Sequence, residues 1–398
     1  MNGPTKFVAS LAMVLAFAAC NAGGSSSLPG ATGQTGAGMQ AQTLQTSPAG
    51  QRACTDFRPA YMHCEALIQK QGVEPAVAGW GPADFQATYK LPSGTKGTGQ
   101  VVAIVDAFDN PNVATDLAAY RTNFGLGAAN FTKYNQTGQT KNYPPGNIGW
   151  GVEIDLDVEM VSAVCPKCTI ILIEANDNYT NNLYAAEQEA VTLGAHVVSN
   201  SWGGGGGSAS GGAFNAAGVT YLASAGDSGY GMQDPADYST VVSVGGTEIS
   251  KKGSVYSEVT WPETGGGCSV VTKPSWQHDP KCSLRTGNDV AAVASQAAMY
   301  DTYGYGGWLT VGGTSVASPM LGGVYGLAGN ASTHQSGKPF WTMSSKKRKK
   351  SLHHILTGGV IHCPPSLSGS YLCVAGTTGY KTYAGPVGWG TPNGIGAF

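Results

Sequence analysis

Charge is what this sequence has least of. Asp, Glu, Lys and Arg make up 12% of its 398 residues, about half the usual share of roughly 25%. Dense surface ion-pair networks are thereby excluded, and a net charge of −2 excludes a general electrostatic attraction to nucleic acid. The one basic run, Lys346 to Lys350, is local and reads as a solvated loop, with attachment to acidic surfaces as the lesser alternative. Long hydrophobic runs are missing as well. The apolar stretch from Phe7 to Ala19 is thirteen residues, short of the roughly 20 needed to span a bilayer. Preceded by Lys6, it fits a signal peptide cleaved after Ala18, or directly before Cys20 as in bacterial lipoproteins, where Cys20 would become a lipid tether. No second CxxC and no matching histidine pair accompany Cys165-Pro166-Lys167-Cys168, so a zinc site lacks ligands there. Internal repeats are also absent.

Glycine and cysteine are plentiful by contrast. Fifty-nine glycines mark a chain of many tight turns. Setting Cys20 aside leaves eight cysteines in four close neighbours: Cys54/Cys64, Cys165/Cys168, Cys268/Cys282 and Cys363/Cys373. Sequence leaves the connectivity open, and local pairing in an oxidising compartment is the simplest solution. A redox or metal role for Cys165 and Cys168 is the lesser alternative. The expected organisation is a signal peptide over 1–19 and a Gly/Ser/Thr-rich tether over 20–50 that cannot bury a core. A short stapled segment over 51–79, helical around Tyr61 to Gln71, and one large domain over 80–398 complete it.

Within the large domain, continuous apolar runs alternate with amphipathic stretches. Val101 to Val105, Thr169 to Ile173, His196 to Ser199, Val219 to Ala223 and Val241 to Val244 read as strands buried on both faces. Val113 to Phe124 and Asn181 to Leu193 read as helices, with Gly194 and Gly218 as helix stops. The pattern predicts an α/β fold: a doubly wound, mostly parallel sheet flanked by helices. Active groups in such sheets gather at the carboxyl ends of strands, where Asp106, Asn200 and Asp227 all fall.

Gly312-Gly313-Thr314-Ser315-Val316-Ala317-Ser318-Pro319 is the most informative segment. It places Ser315 at the start of an apolar helix running to Leu327, where backbone N–H groups and the helix dipole favour developing negative charge. Pro319 is expected in the first turn, where a missing N–H is harmless. A plain N-cap serine is the bland alternative. A nucleophilic serine needs a base, yet only His196 and His278 lie between the first strand and Ser315, neither in a His-Gly-Thr-His context. Carboxylates are better placed. Gly151 to Met160 reads as a helix with Val152, Leu156 and Met160 on one stripe, and Glu153 and Asp157, four apart, share a face. A solvated acidic face that also holds Asp155 and Glu159 is the competing reading. Asp227, in Ser224-Ala225-Gly226-Asp227-Ser228-Gly229, follows a strand, and Asp before Ser-Gly is also good turn chemistry.

Taken together these residues resemble the sedolisins, serine-carboxyl peptidases with a subtilisin-like fold. The resemblance covers roughly residues 80 to 398. It rests on Glu153-x-x-x-Asp157, the Ser-Ala-Gly-Asp227 turn, the Gly-Gly-Thr-Ser315 octet, Val244 to Thr247, Lys273 to Gln277 and Gly388 to Gly394. It implies that Ser315 attacks the scissile carbonyl, that Glu153 is the general base and acid, that Asp157 orients Glu153, and that Asp227 donates to the oxyanion. Asp227 can donate only when protonated, so the resemblance implies an acidic optimum. Asn200, Ser201, Trp202 and Gly203, leading into glycines up to Gly207, resemble the segment that holds substrate as an added strand, with a mobile glycine loop as the alternative.

Two features depart from the family. Its folded propeptide is usually long, whereas about sixty residues separate Cys20 from the catalytic region here, so unassisted folding or a short activating segment is expected. Calcium is usual in the family, but the matching loop positions are His354, Ile355 and Lys381, with both acids lost, so no cofactor is expected. The Lys381 ammonium would then supply the ion's positive charge. Asp106 occupies the position where subtilisins orient a histidine, but the histidine is lacking, so a supporting role is expected. The resulting expectation is an exported, monomeric, serine-type endopeptidase acting on polypeptides outside the cytoplasm or on a bacterial surface. The alternatives are a catalytically inactive, surface-tethered binding protein or a subtilisin-type peptidase using Asp106.

Overall fold

Seven strands lie side by side in the main sheet. In order they are Val255–Thr260, Val241–Lys252, Thr220–Ser224, Val197–Asn200, Val101–Ala107, Thr169–Ala175 and Asn130–Asn135. Val290–Val293 pairs in parallel with Val244–Thr247, the middle of Val241–Lys252. All these pairings are parallel except the hairpin between Val241–Lys252 and Val255–Thr260. The computed structural model describes residues 46–47, 50–70, 77–205, 211–377 and 380–398. The expected signal peptide, lipidated Cys20 and most of the tether lie outside the described residues, as do Gly206 and Gly207.

Strand alternation explains why the sheet is covered twice. In Val101–Ala107, Val102 and Ile104 join one apolar cluster while Ala103, Val105 and Ala107 join the other. Ile170 and Leu172 divide from Ile171 and Ile173 in the same way. Helices Ile148–Val164 and Thr314–Ala328 pack on the first face, and helix Thr180–Thr192 on the second. The expected strands and helices of this sheet are all present within a few residues. The edge strand Asn130–Asn135 gives no buried alternation and is unreadable in sequence.

The Ile148–Val164 helix decides against the competing reading of its acidic run. Every side chain from Trp150 to Val164 is buried, Asp155 and Glu159 included, so there is no solvated acidic face. A helix apolar on most sides must be covered on all sides. The Asn147 side chain caps it by accepting the Trp150 N–H at 3.1 Å. Helix Thr314–Ala328 starts after Gly313, whose φ of 115° only glycine takes readily, and ends at Gly329 in the left-handed region. Because it begins at Thr314, Pro319 lies in the second turn. Its missing N–H leaves the Ser315 carbonyl without an intrahelical donor, and the Ser201 hydroxyl donates to that carbonyl at 3.4 Å.

Three further expectations need correction. Tyr61 to Lys70 is not helical: His63–Cys64 pairs antiparallel with Trp202–Gly203, and Leu67–Lys70 with Gly307–Gly312. The long-range ladder partners override local helix preference. Leu67–Lys70 belongs to an antiparallel five-stranded sheet with Thr46–Ser47, Gly50–Arg52, Gly307–Gly312 and Ala297–Asp301. The basic run is a short helix, Ser345–Ser351, rather than a solvated loop. Arg348 turns inward, its guanidinium 3.7 Å from the Trp389 ring centroid and donating to the carbonyls of Phe340 and Met343. Gly218, with φ 83°, closes a turn after the short 3-10 segment Gly211–Phe214, whereas Gly194 does follow a full helix. The four local disulfides, Cys54–Cys64, Cys165–Cys168, Cys268–Cys282 and Cys363–Cys373, are all formed.

Candidate active site

The carboxyl ends of the parallel strands face the start of helix Thr314–Ala328, and the expected residues meet there. Ser315 is fully buried, its hydroxyl donating to the Ser201 carbonyl at 3.3 Å. Ser315 also lies near Glu153, where its influence favours the ionised carboxylate, while the hydroxyl proton itself points to the Ser201 carbonyl. No histidine is among the hydrogen-bond partners of Ser315. Glu153 Oε2 accepts the backbone N–H of Ala66 at 2.8 Å, while its Oε1 has no well-aligned donor.

Spacing on the Ile148–Val164 helix sets the next contact. Asp157, one turn beyond Glu153 on the same face, feels the Glu153 charge and accepts the Ser201 hydroxyl at 2.7 Å through Oδ1. Ser201 therefore ties Asp157 to the Ser315 backbone. Asp106, at the end of the Val101–Ala107 strand, completes a fully buried carboxyl cluster. Desolvation pushes Asp106 up to about 8. Desolvation first, then the Asp106 charge, pushes Glu153 and Asp157 well above the usual carboxyl range. Three carboxyls without a compensating cation cannot all ionise together, so the cluster holds protons that it can pass.

Asp227 approaches from the turn after Thr220–Ser224. Its Oδ1 accepts both the backbone N–H and the hydroxyl of Thr314 at 2.8 Å, which fixes the carboxyl beside Ser315. Its Oδ2 has no partner, and a Cβ on Gly313 would fall 2.7 Å from it. Burial, then the Glu65 charge, raises the Asp227 pKa against a smaller lowering by Arg52. A neutral Asp227 has a hydroxyl to donate beside the serine.

The four residues of the Asn200 segment divide. Ser201 and the backbone of Trp202 and Gly203 line the cleft and carry an antiparallel strand. Asn200 turns away, donating to the Leu222 carbonyl at 3.1 Å, and the buried Trp202 indole donates to the Val105 carbonyl at 2.8 Å. Sequence reasoning missed Arg52, Glu65, Ala66, Gln233 and Thr314. Thr314 could have been found, because it adjoins the serine at the helix start. The others carry no local signal, since only long-range pairing brings them in.

The calcium-loop positions do not fit a calcium ion. Ile355 is buried and apolar, and His354 and Lys381 are exposed. The Lys381 ammonium lies 5.1 Å from the Tyr380 ring centroid at the surface rather than inside a ring of oxygen ligands. Among the described residues one group of acids has ligand spacing, Asp116, Asp155 and Asp301, and it lies behind the Ile148–Val164 helix.

Residues 127–353 match the subtilase family. Kumamolisin of Bacillus sp. (strain MN-32) is 30% identical over 304 residues, covering 65% of this chain and 53% of the relative. Sedolisin of Pseudomonas sp. (strain 101) is 27% identical over 362 residues, covering 79% and 60%. Xanthomonalisin of Xanthomonas sp. (strain T-22) is 27% identical over 334 residues, covering 66% and 40%. The chain thus spans about half the length of the curated relatives it matches. A solved structure of Pseudomonas sedolisin, a serine-carboxyl proteinase complexed with two molecules of pseudo-iodotyrostatin, superimposes with a TM-score of 0.65 at 24% identity. It covers 80% of this chain and 96% of that one, a likeness of fold.

Proposed function

We propose that this chain, which belongs to the subtilase family and within it to the sedolisins, is an acid-acting serine endopeptidase. One observation carries the reading: Ser315, fully buried at the start of its helix, has the buried carboxyl Glu153 as its titratable neighbour where a peptidase of this fold needs a base, and its hydroxyl bonds to no histidine. Ser315 Oγ attacks the scissile carbonyl, and Glu153 accepts its proton. Glu153 then returns that proton to the leaving amine. Asp157 and Asp106 act as positioning residues: Asp157 holds Glu153 in orientation, and Asp106 keeps the cluster partly protonated. Asp227, neutral, donates to the oxyanion through the oxygen that has no other partner.

Ser201 to Gly203 hold a substrate as an added antiparallel strand, which selects extended chains over folded ones. The pH dependence follows from two opposed needs. Glu153 must ionise, which sets the acid limb, and Asp227 must stay protonated, which sets the alkaline limb. Four disulfides in the described residues support an oxidising, extracytoplasmic location, and lipidation at Cys20 remains part of this proposal. The test is cleavage of a casein-derived peptide, followed from pH 3 to 7 so as to cross both limbs, by wild type, Ser315→Ala and Glu153→Gln. The reading predicts turnover only in the wild type; equal background in all three would leave a binding protein with a peptidase fold.

A further inference from the structure

Charge is divided unevenly along the chain. All twenty-four Asp and Glu residues fall within residues 1–301, together with fifteen Lys and Arg. Residues 302–398 hold seven Lys and Arg and no Asp or Glu. A net charge of −2 thus conceals a segment of −9 followed by one of +7. Five of the seven cations are consecutive, Lys346 to Lys350, and they stand on the short helix Ser345–Ser351.

That helix holds its charge in a fixed orientation. Arg348 alone of the five is buried, its guanidinium 3.7 Å from the Trp389 ring centroid and donating to the carbonyls of Phe340 and Met343, each at 2.9 Å. Lys346, Lys347, Lys349 and Lys350 are all exposed, and among the described residues none of them has an ion-pair partner. No acid stands in the first turn, where Lys346 and Lys347 oppose the helix dipole. The Ser344 hydroxyl caps the helix by accepting the Lys347 N–H at 3.3 Å. Lys90 adds a further exposed ammonium: it donates to Asn393 Oδ1 at 3.0 Å, and the Asn393 amide donates to the Lys350 carbonyl at 3.2 Å. This face lies at the far end of the domain from the cleft. Helix Thr314–Ala328, about 22 Å long, carries Ser315 at its start. Near its other end Tyr325 packs edge-on against Phe398 at 5.4 Å, and Phe398 against Phe340 at 5.5 Å. His334, whose pKa is lowered by burial and then by the Lys347 charge, accepts the Tyr325 hydroxyl at its carbonyl at 3.4 Å. Like charges on a free loop would merely be solvated. Like charges pinned by a buried arginine, against their own repulsion and with no acid in the surrounding stretch of chain, form a docking face.

We propose that the Ser345–Ser351 helix seats the protein on a bilayer rich in anionic phospholipid headgroups, with the cleft turned away from the membrane. This goes beyond the peptidase reading and does not depend on it. The residue types choose the partner. Arginine forks two N–H groups onto one phosphate, and the only arginine of the run faces inward. The outward groups are lysines, hydrated point charges that suit a diffuse negative surface better than one fixed phosphate or a base edge. Each lysine held at such a surface is worth about fivefold in partition, so four together are worth roughly several hundredfold. That supports reversible seating, which salt should undo by screening. An acyl group at Cys20, part of the proposal above, would keep the chain near the same surface, and the basic helix would set which side of the domain faces it.

The test takes the full chain carrying Cys20→Ser, so that no acyl group can attach there. One form has no further change. A second has Lys346→Gln, Lys347→Gln, Lys349→Gln and Lys350→Gln together. A third has Lys96→Gln, Lys141→Gln, Lys252→Gln and Lys281→Gln, which removes the same charge from exposed lysines elsewhere. Each is sedimented with vesicles of phosphatidylcholine alone, or with about one-third phosphatidylglycerol, at about 0.02 M and about 0.5 M salt. Circular dichroism establishes folding. The parent is expected to prefer the anionic vesicles at low salt by about a hundredfold or more, and to lose that preference at high salt. The helix variant should lose at least about thirtyfold of it and the control variant less than about threefold. If the fourfold helix variant does not fold, the pair Lys349→Gln with Lys350→Gln gives the same reading, with about twentyfold lost. Equal loss in the control variant, or no preference of the parent for anionic vesicles, would overturn the inference. So would retention of the parent on immobilised polygalacturonate without that preference, which would make the partner an acidic polysaccharide.

Discussion

Two rows of carboxyls run along the Ile148–Val164 helix, and they look alike by every bulk property. Glu153 and Asp157 form one row, Asp155 and Glu159 the other. All four are fully buried, and desolvation pushes all four well above the usual carboxyl range. Their neighbours differ. Asp155 accepts the Asn110 side-chain N–H at 2.7 Å and Glu159 the Tyr300 backbone N–H at 3.0 Å, both contacts that lock strands and loops. Asp157 accepts the Ser201 hydroxyl, and Glu153, near Ser315, accepts a peptide N–H that enters from another part of the chain. A raised pKa therefore marks burial in both rows, and only the presence of a nucleophile turns one row into chemistry.

The comparison is broken most directly by Glu153→Gln. Losing the proton acceptor is expected to lower kcat/KM at the wild-type optimum by about a thousandfold or more, with Ser315→Ala as severe. Asp227→Ala should lower kcat by roughly a hundredfold to a thousandfold, the usual cost of one oxyanion donor. Asp227→Asn supplies a donor that does not titrate, so it should keep most activity and carry the alkaline limb toward neutral pH. Activity that stayed confined to acid in Asp227→Asn would take that role away from Asp227. Asp157→Asn preserves shape but weakens the tuning of Glu153, and about a tenfold to hundredfold loss in kcat with KM little changed is expected. Asp155→Asn, in the other row, should leave kcat/KM within about threefold and move unfolding by about 1 kcal/mol or less in denaturant titration.

Stability against pH gives the smallest but broadest effect, because both rows contribute to it. A carboxyl whose folded pKa is raised stabilises the fold fully below its unfolded value, near 4, and loses that contribution as pH rises through its folded value. Asp106 at about 8 and Glu174 at about 9 place that loss between roughly pH 4 and 9. Asp56, held near 2 chiefly by its hydrogen bond to Arg58, and Glu65, lowered chiefly by the His63 charge against its own burial, act in the opposite sense. The raised groups outnumber them, so the thermal midpoint of Ser315→Ala should be higher at pH 4 than at pH 8, by about 5 °C. A midpoint rising toward pH 8 would mean that the buried carboxyls are ionised in the fold.

Much of this was legible before the structure. The parallel sheet was, because Val101 to Val105 and Thr169 to Ile173 are continuous apolar runs that only a doubly covered sheet can bury. Glu153, Asp157, Asp227 and Ser315 were singled out by local motifs, an acid pair at helical spacing, a turn after a strand and a helix start, which the fold brings near one another. Residues 61 to 70 misled, since their pairing partners are at 202–203 and 307–312 and no local pattern encodes that. For the same reason Glu65 and Arg52 gave no warning of their place in the cleft. Asp155 and Glu159 kept a competing reading alive, as an acidic run passes for a surface until the neighbours that bury it are known.

The pH profile of kcat/KM for peptide cleavage by the wild type, from pH 3 to 8, tests the carboxyl-for-histidine exchange most directly. The account predicts a bell with its maximum in the acid range and an alkaline limb that moves upward in Asp227→Asn. A profile rising to a plateau above pH 7, unchanged in Asp227→Asn, would contradict it.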